Sequence, residues 1–138
     1  MSAVYSVDIR IEAPVNDTEV TDRVADAVRN LFPEADPTHQ HGELVAEVHT
    51  MDGFSELLHR REILDTARSV FFDNLEGDTF AFDVKKQAAF EGRINFAVGG
   101  PSELGDVHVR VRVREPSAEA FIDAVAPPTE DGTPIDME

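Results

Sequence analysis

The chain has no cysteine and no tryptophan, and among its 138 residues lysine occurs only at Lys85 and Lys86. Without cysteine there is no disulfide framework, thiolate metal site or thiol nucleophile, which excludes zinc ribbons, redox pairs and cysteine hydrolases. No apolar run approaches the roughly 20 residues that cross a bilayer. The opening stretch reaches Asp8 and Arg10 too early for a signal peptide, so a cytoplasmic protein with no membrane partner is expected. A glycine-rich phosphate loop and a Gly-x-Ser-x-Gly elbow are also missing, and no nucleophile can be paired with a base. The balance leans away from an enzyme, and no cofactor is expected.

Acid, by contrast, is abundant: 28 Asp+Glu stand against 12 Lys+Arg, a net charge of -16. The carboxylates are spread along the chain rather than held in a tail, which describes a whole surface adapted to molar salt and points to a halophilic source. At about 1 M salt the Debye length is about 3 Å, so local contacts, not net charge, select partners. With 41% hydrophobic residues the chain can bury one core. Residues 1–115 are expected to form an α+β core domain, and residues 116–138 a short helix and a polar tail.

Tyr5, Val7, Ile9 and Ile11 alternate with polar residues up to Pro14, the signature of a half-buried strand. Asn16 or Asp17 is placed to cap a helix carrying Val20, Val24, Ala27, Val28 and Leu31 on one stripe before Pro33. A second strand follows at Leu44, Ala46 and Val48, then one long helix from about Ser55 to Asn74 with Gly77 beyond its end. Strands are expected around Phe80–Val84, Ile94–Val98 and Val107–Val113, with Gly99-Gly100-Pro101 as a break, and a short helix around Phe121 and Ile122. The order and the alternation give an α+β two-layer sandwich, a mostly antiparallel sheet with helices on one face and water on the other.

Three groups of residues can carry chemistry. Along a continuous helix Arg61, Asp65, Arg68 and Phe72 share a stripe next to Arg60, and two guanidinium forks on one edge suit phosphate or carboxylate oxygens. The simpler account pairs Arg61 with Asp65 on a solvated flank. The second group is Lys85, Lys86, Gln87, Arg93 and Asn95, which places both lysines of the chain beside an amide and two small residues, Ala88 and Ala89. A connector packed through Ala88, Ala89 and Phe90 is the simpler account. The third is the outward row His108, Arg110, Arg112 and Arg114, for which Asp8, Glu12, Glu47 and Asp83 are ordinary cross-strand partners. His39, His41 and Glu43 have ligand-like spacing but no second cluster to complete a metal site, so no metal is expected. The aromatic residues fall on inward positions, which disfavours reading splayed bases by stacking.

The segments from Arg60-Arg61 to Asp65-Thr66-Ala67-Arg68 and from Lys86-Gln87-Ala88-Ala89-Phe90 to Glu91-Gly92-Arg93-Ile94-Asn95-Phe96 resemble the two signature blocks of archaeal uncharacterised protein family 0201. The likeness extends over most of Val7 to Val113, although Lys85 stands where that pattern would place an amide. The resemblance implies a fold similar to the ribosomal protein that binds 5S RNA, and hence an RNA-binding role. It also implies that Arg60, Arg61, Arg68, Lys86, Gln87, Arg93 and Asn95 form one functional surface, which Lys85 adjoins. Three functions are therefore in play. One is a module for structured RNA, associated with the ribosome or with RNA processing. The second is a protein-interaction module, and the third a protein or enzyme that binds a small phosphorylated ligand.

Overall fold

In the computed structural model, which describes residues 5–97, 105–130 and 133–134, Val7, Ile9, Ile11 and Ala13 are the buried half of strand β1 (Ser6–Pro14). Then come helix α1 (Thr21–Leu31), strands β2 (Thr38–Gln40) and β3 (Glu43–Val48), and helices α2 (Asp52–Arg60) and α3 (Leu64–Asp73). Strand β4 (Thr79–Lys85), helix α4 (Lys86–Phe90), strand β5 (Asp106–Glu115) and helix α5 (Ala118–Val125) follow, and β6 (Thr129–Glu130) pairs with β7 (Thr133–Pro134). The main sheet runs β2-β3-β1-β5-β4 with every neighbouring pair antiparallel. Its inward side chains and the apolar stripes of the helices share one core. The fold is therefore α+β, with the helices under one face of the sheet.

Phenylalanine fills much of that core. Phe71 of α3 packs against Phe80 and Phe82 of β4 at 4.9 Å between ring centres, and Phe54 of α2 lies 5.3 Å from both Phe32 and Phe82. Helix α5 belongs to the same core, with Ile122 fully buried and Ser55 of α2 donating a 2.8 Å hydrogen bond to the Val125 carbonyl.

Several expectations are corrected. The long second helix is two helices. After Arg61 the chain takes a left-handed step at Glu62 (φ 57), the Glu62 N–H bonds the His59 carbonyl, and the Ile63 N–H reaches back to Leu58. This pair of bonds is a Schellman stop with glutamate in the usual glycine place. Helix α1 starts later than expected, with Val20 at its N-cap and no side-chain cap; Asn16 instead donates its backbone N–H to the Glu19 carboxylate. The His39 to Glu43 stretch, for which no strand is expected, is a hairpin: His41 (φ 48) and Gly42 (φ 80) both take the positive φ of a two-residue turn. Residues 86–90 are helical. The strand expected over Ile94–Val98 reduces to a single bridge, Val84 to Phe96, with backbone bonds from Lys85 to Asn95 and from Ala97 to Asp83. The expected alternation survives there, since Ile94 and Phe96 are buried while Asn95 is exposed. Val98 and the Gly99-Gly100-Pro101 break lie outside the described residues.

Candidate nucleic-acid interface

Strand β4 ends at Lys85, and α4 turns the chain back on itself. Gly92 closes the turn at φ 69, with the Gly92 N–H on the Ala89 carbonyl and the Arg93 N–H on the Ala88 carbonyl. This is again a Schellman stop, now with glycine in the left-handed place. The Lys85 N–H then bonds the Asn95 carbonyl at 2.8 Å, which sets the returning segment along the edge of the sheet. The result is a surface depression of about 340 Å³ lined by Lys85, Gln87, Ala88, Glu91, Arg93 and Asn95. The two small residues of α4 are not open to a partner: Ala89 is fully buried in the core and Ala88 is buried at the floor of the depression, so this part of the segment is packed as a connector.

The cations of this region differ in how free they are. Lys85 makes no ion pair among the described residues. Arg93 is paired with Glu91 at 2.8 Å, but both side chains are more than half exposed (53% and 65%). Such surface pairs contribute little, so a phosphate can displace the carboxylate. Lys86 is different: it is wholly buried, and its ammonium donates to the Glu19 carboxylate at 2.7 Å and to the Pro14 carbonyl. It ties α4 to the loop before α1, and Asn30 of α1 adds a 2.9 Å bond to the Ala89 carbonyl. Lys86 is therefore a fastener behind the depression and offers nothing to a ligand outside.

Arg68 is withdrawn too. Its guanidinium donates to Asp123 at 2.7 Å and to the Ala126 carbonyl at 3.2 Å, over the Phe72 ring, and so locks α3 to α5. The Arg61–Asp65 pair does not form; Asp65 accepts the Thr129 hydroxyl instead. Arg60 and Arg61 are exposed on the last turn of α2 without an ion pair among the described residues, a position favoured by the negative end of the helix dipole. None of Arg60, Arg61 and Arg68 lines the depression. The structure thus gathers Lys85, Gln87, Arg93 and Asn95, sets Arg60 and Arg61 on another element, and uses Lys86 and Arg68 to hold the fold.

On the open face of the sheet three members of the outward row find acidic partners, of which only the His108–Asp83 pair is directly opposed in the register. His108 meets Asp83 at 2.9 Å, Arg114 holds both oxygens of Asp8 at 2.8 and 2.6 Å, and Arg112 reaches Asp78 at 3.4 Å. The register shifts at Ser6/Val7, and Arg114 reaches Asp8 diagonally, one of the cross-strand partners expected for this row. The hydrogen bond from Arg114 holds the Asp8 carboxyl below its usual value, and Asp8 in turn raises Arg114. Asp8, Glu47 and His49 also come within 4.8 Å of one another, a group absent from the sequence reading because it spans two strands. His49 is committed through Nδ1 to the Val7 carbonyl at 3.0 Å and the Asp8 carboxylate at 3.3 Å.

This architecture, a five-stranded antiparallel sheet over helices, defines an α+β module of the kind that recurs in archaeal proteins of solved structure. The family model described as RNA binding matches residues 8–114. The chain belongs to the UPF0201 family. It is 35% identical over 137 residues to a UPF0201 protein of Aeropyrum pernix, covering 94% of this chain and 91% of that one. A UPF0200/UPF0201 protein of Archaeoglobus fulgidus is 35% identical over 131 residues, with 94% of this chain spanning 40% of that longer protein. The crystal structure of a UPF0201 protein from Methanococcus jannaschii superposes with a TM-score of 0.87 at 30% identity, covering 94% of this chain and 99% of that one. Among the described residues no helix is long and apolar enough to cross a membrane.

Proposed function

We propose that the protein is a non-catalytic module that binds structured RNA, in a ribosomal or RNA-processing setting, through the turn at the end of β4. The observation that carries this reading is the assembly of Lys85, Gln87, Arg93 and Asn95 around one depression in a chain with a net charge of -16. Lys85 and Arg93 supply charge for phosphate oxygens, and the amides of Gln87 and Asn95 supply donors and acceptors for ribose hydroxyls or base edges. The match to a family described as RNA binding supports it. Abundant acid fits a salt-rich cytoplasm, where counterion release yields little affinity and directional hydrogen bonds must supply it.

The test is binding of a labelled RNA stem-loop to the full chain over a range of KCl concentrations. Replacing Lys85 and Arg93 together by Gln should weaken binding by about tenfold or more, because two charge-assisted contacts are lost. Binding unchanged in that variant would reject this interface. A stabilising shift with inorganic tripolyphosphate but no retention of RNA would select the small-ligand reading instead.

A further inference from the structure

The open face of the sheet carries a feature that the edge depression does not explain. Arg10 of β1 and Arg110 of β5 stand directly opposite each other in the register. Like charges facing across an antiparallel pair repel, at Cα separations of only about 4.5–5.5 Å. Carboxylates are plentiful in this chain, so a neutralising partner would have been easy to supply. Yet Arg110 makes no ion pair among the described residues, and Arg10 reaches only Glu12, on its own strand, at 3.6 Å. That distance is longer than a charge-assisted hydrogen bond of about 2.7–2.9 Å. Two other acids of the face are engaged elsewhere: Asp8 is held by Arg114 and His49, and Asp83 by His108. Glu47 faces Arg10 from β3 but does not pair with it.

These side chains surround a concavity of about 420 Å³ lined by Arg10, Arg110, Arg112 and Arg114 together with Asp8, Glu47 and His49. On β4 the residue opposite Arg110 is Ala81, which leaves the approach open. We infer that this face is a second RNA contact, in which Arg10 and Arg110 close as a two-pronged fork on one backbone phosphate, with Arg112 beside it. A bridging anion turns their mutual repulsion into two charge-assisted bonds to the same group. The outward positions of β1, β3, β4 and β5 carry no Phe, Tyr or Trp among the described residues, His108 there is held by Asp83, and Tyr5 packs on Phe121 of α5. The face therefore lacks the large aromatic platform on which splayed bases usually stack, and its row of guanidinium groups suits the phosphates of a double-stranded stem. The inference rests on the RNA-binding reading and names the class of RNA.

The experiment compares wild type, R10Q/R110Q and K85Q/R93Q for binding to an RNA stem-loop and to single-stranded poly(U), in a KCl series, with inorganic tripolyphosphate as a small-anion probe. R10Q/R110Q should bind the stem-loop about tenfold or more weakly, with a salt slope smaller by about 1 for each phosphate contact removed. It should change poly(U) binding much less. Its thermal midpoint should equal or exceed that of wild type, since a repulsive pair is gone, and this shows that the fold is intact. Wild-type affinity for the stem-loop in R10Q/R110Q, together with loss in K85Q/R93Q, would overturn the sheet-face contact while leaving the RNA reading standing. Wild type that binds neither RNA would overturn both; a tripolyphosphate shift that R10Q/R110Q abolishes would then reassign the face to small phosphorylated molecules.

Discussion

Lys85 and Lys86 are neighbours in the chain, the only lysines in it, and they have opposite fates. Lys85 is the last residue of a strand at the sheet edge, half-buried and without an ion pair among the described residues. Lys86 opens a five-residue helix and is turned under the sheet edge, fully buried against Glu19. Lys85 ends the strand on the side of Thr79, Ala81 and Asp83, and the turn into α4 carries Lys86 to the buried side of Phe80, Phe82 and Val84. A run of two like charges therefore cannot be counted as two surface charges; here one of them is spent inside.

The sharpest way to break this comparison is to exchange the inner lysine. In the Lys86→Met variant the Glu19 side chain, 9% exposed, keeps a buried carboxylate whose cation is gone, while its second oxygen already has no hydrogen-bond partner. Removing one member of a buried pair costs about 3–5 kcal/mol, so a large drop in the urea midpoint is expected. Replacing Glu19 and Lys86 together by Met should recover much of that loss, because no buried charge is then stranded. Lys85→Met, one residue away, should leave the midpoint within about 0.5 kcal/mol of wild type and act only on RNA binding. A severe loss of stability from the Lys85 change would show that the two lysines are not divided between surface and interior.

Arg68 extends the contrast to the other half of the molecule. It bonds Asp123 and the Ala126 carbonyl and is three-quarters covered. Arg68→Ala should cost about 1–3 kcal/mol, measured by chemical denaturation, the value of charge-assisted hydrogen bonds plus lost packing on Phe72. Loosening of α5 should show as faster amide exchange in Ala118–Val125 than in β5.

How far the sequence revealed these assignments depends on the length scale of the signal. Alternation over Val7–Ala13 and Val107–Val113 and the stripe of α1 are local, and they led to the antiparallel α+β class, the layers and the open face bearing the arginine row, but not to β2 or to the reduction of Ile94–Val98 to one bridge. The clustering of Lys85, Gln87, Arg93 and Asn95 was legible because they lie within a dozen residues. Lys86 to Glu19 and Arg68 to Asp123 were not, since each partner is more than 50 residues away. The two Schellman stops make the same point locally. At Gly92 the motif carries its usual residue and is visible; at Glu62 a glutamate holds the left-handed position, so an unbroken helix pattern was read through it. Glu62→Gly should raise stability by about 0.5–1 kcal/mol, as the left-handed penalty outweighs the added freedom of the unfolded chain. A lower thermal midpoint would mean that the Glu62 side chain contributes more than its backbone costs.

The smallest effect is expected at the exposed counterpart of the buried Lys86 pair. The Arg114 hydrogen bond lowers the pKa of Asp8 from its usual 3.8, so the folded state binds this proton less readily than the unfolded chain. The stability from this pair is thus fully present above the unfolded value and is lost as pH falls through the lowered folded value. Asp8→Asn should flatten the fall of the thermal midpoint below about pH 4 and change little at neutral pH. Because the pair sits in solvent, the difference between variant and wild type should shrink in molar KCl, whereas the Lys86→Met defect should persist there. An acid limb that Asp8→Asn leaves untouched would place the acid sensitivity elsewhere. A Lys86→Met defect that vanished in salt would mean that the buried fastener behaves as one more surface charge.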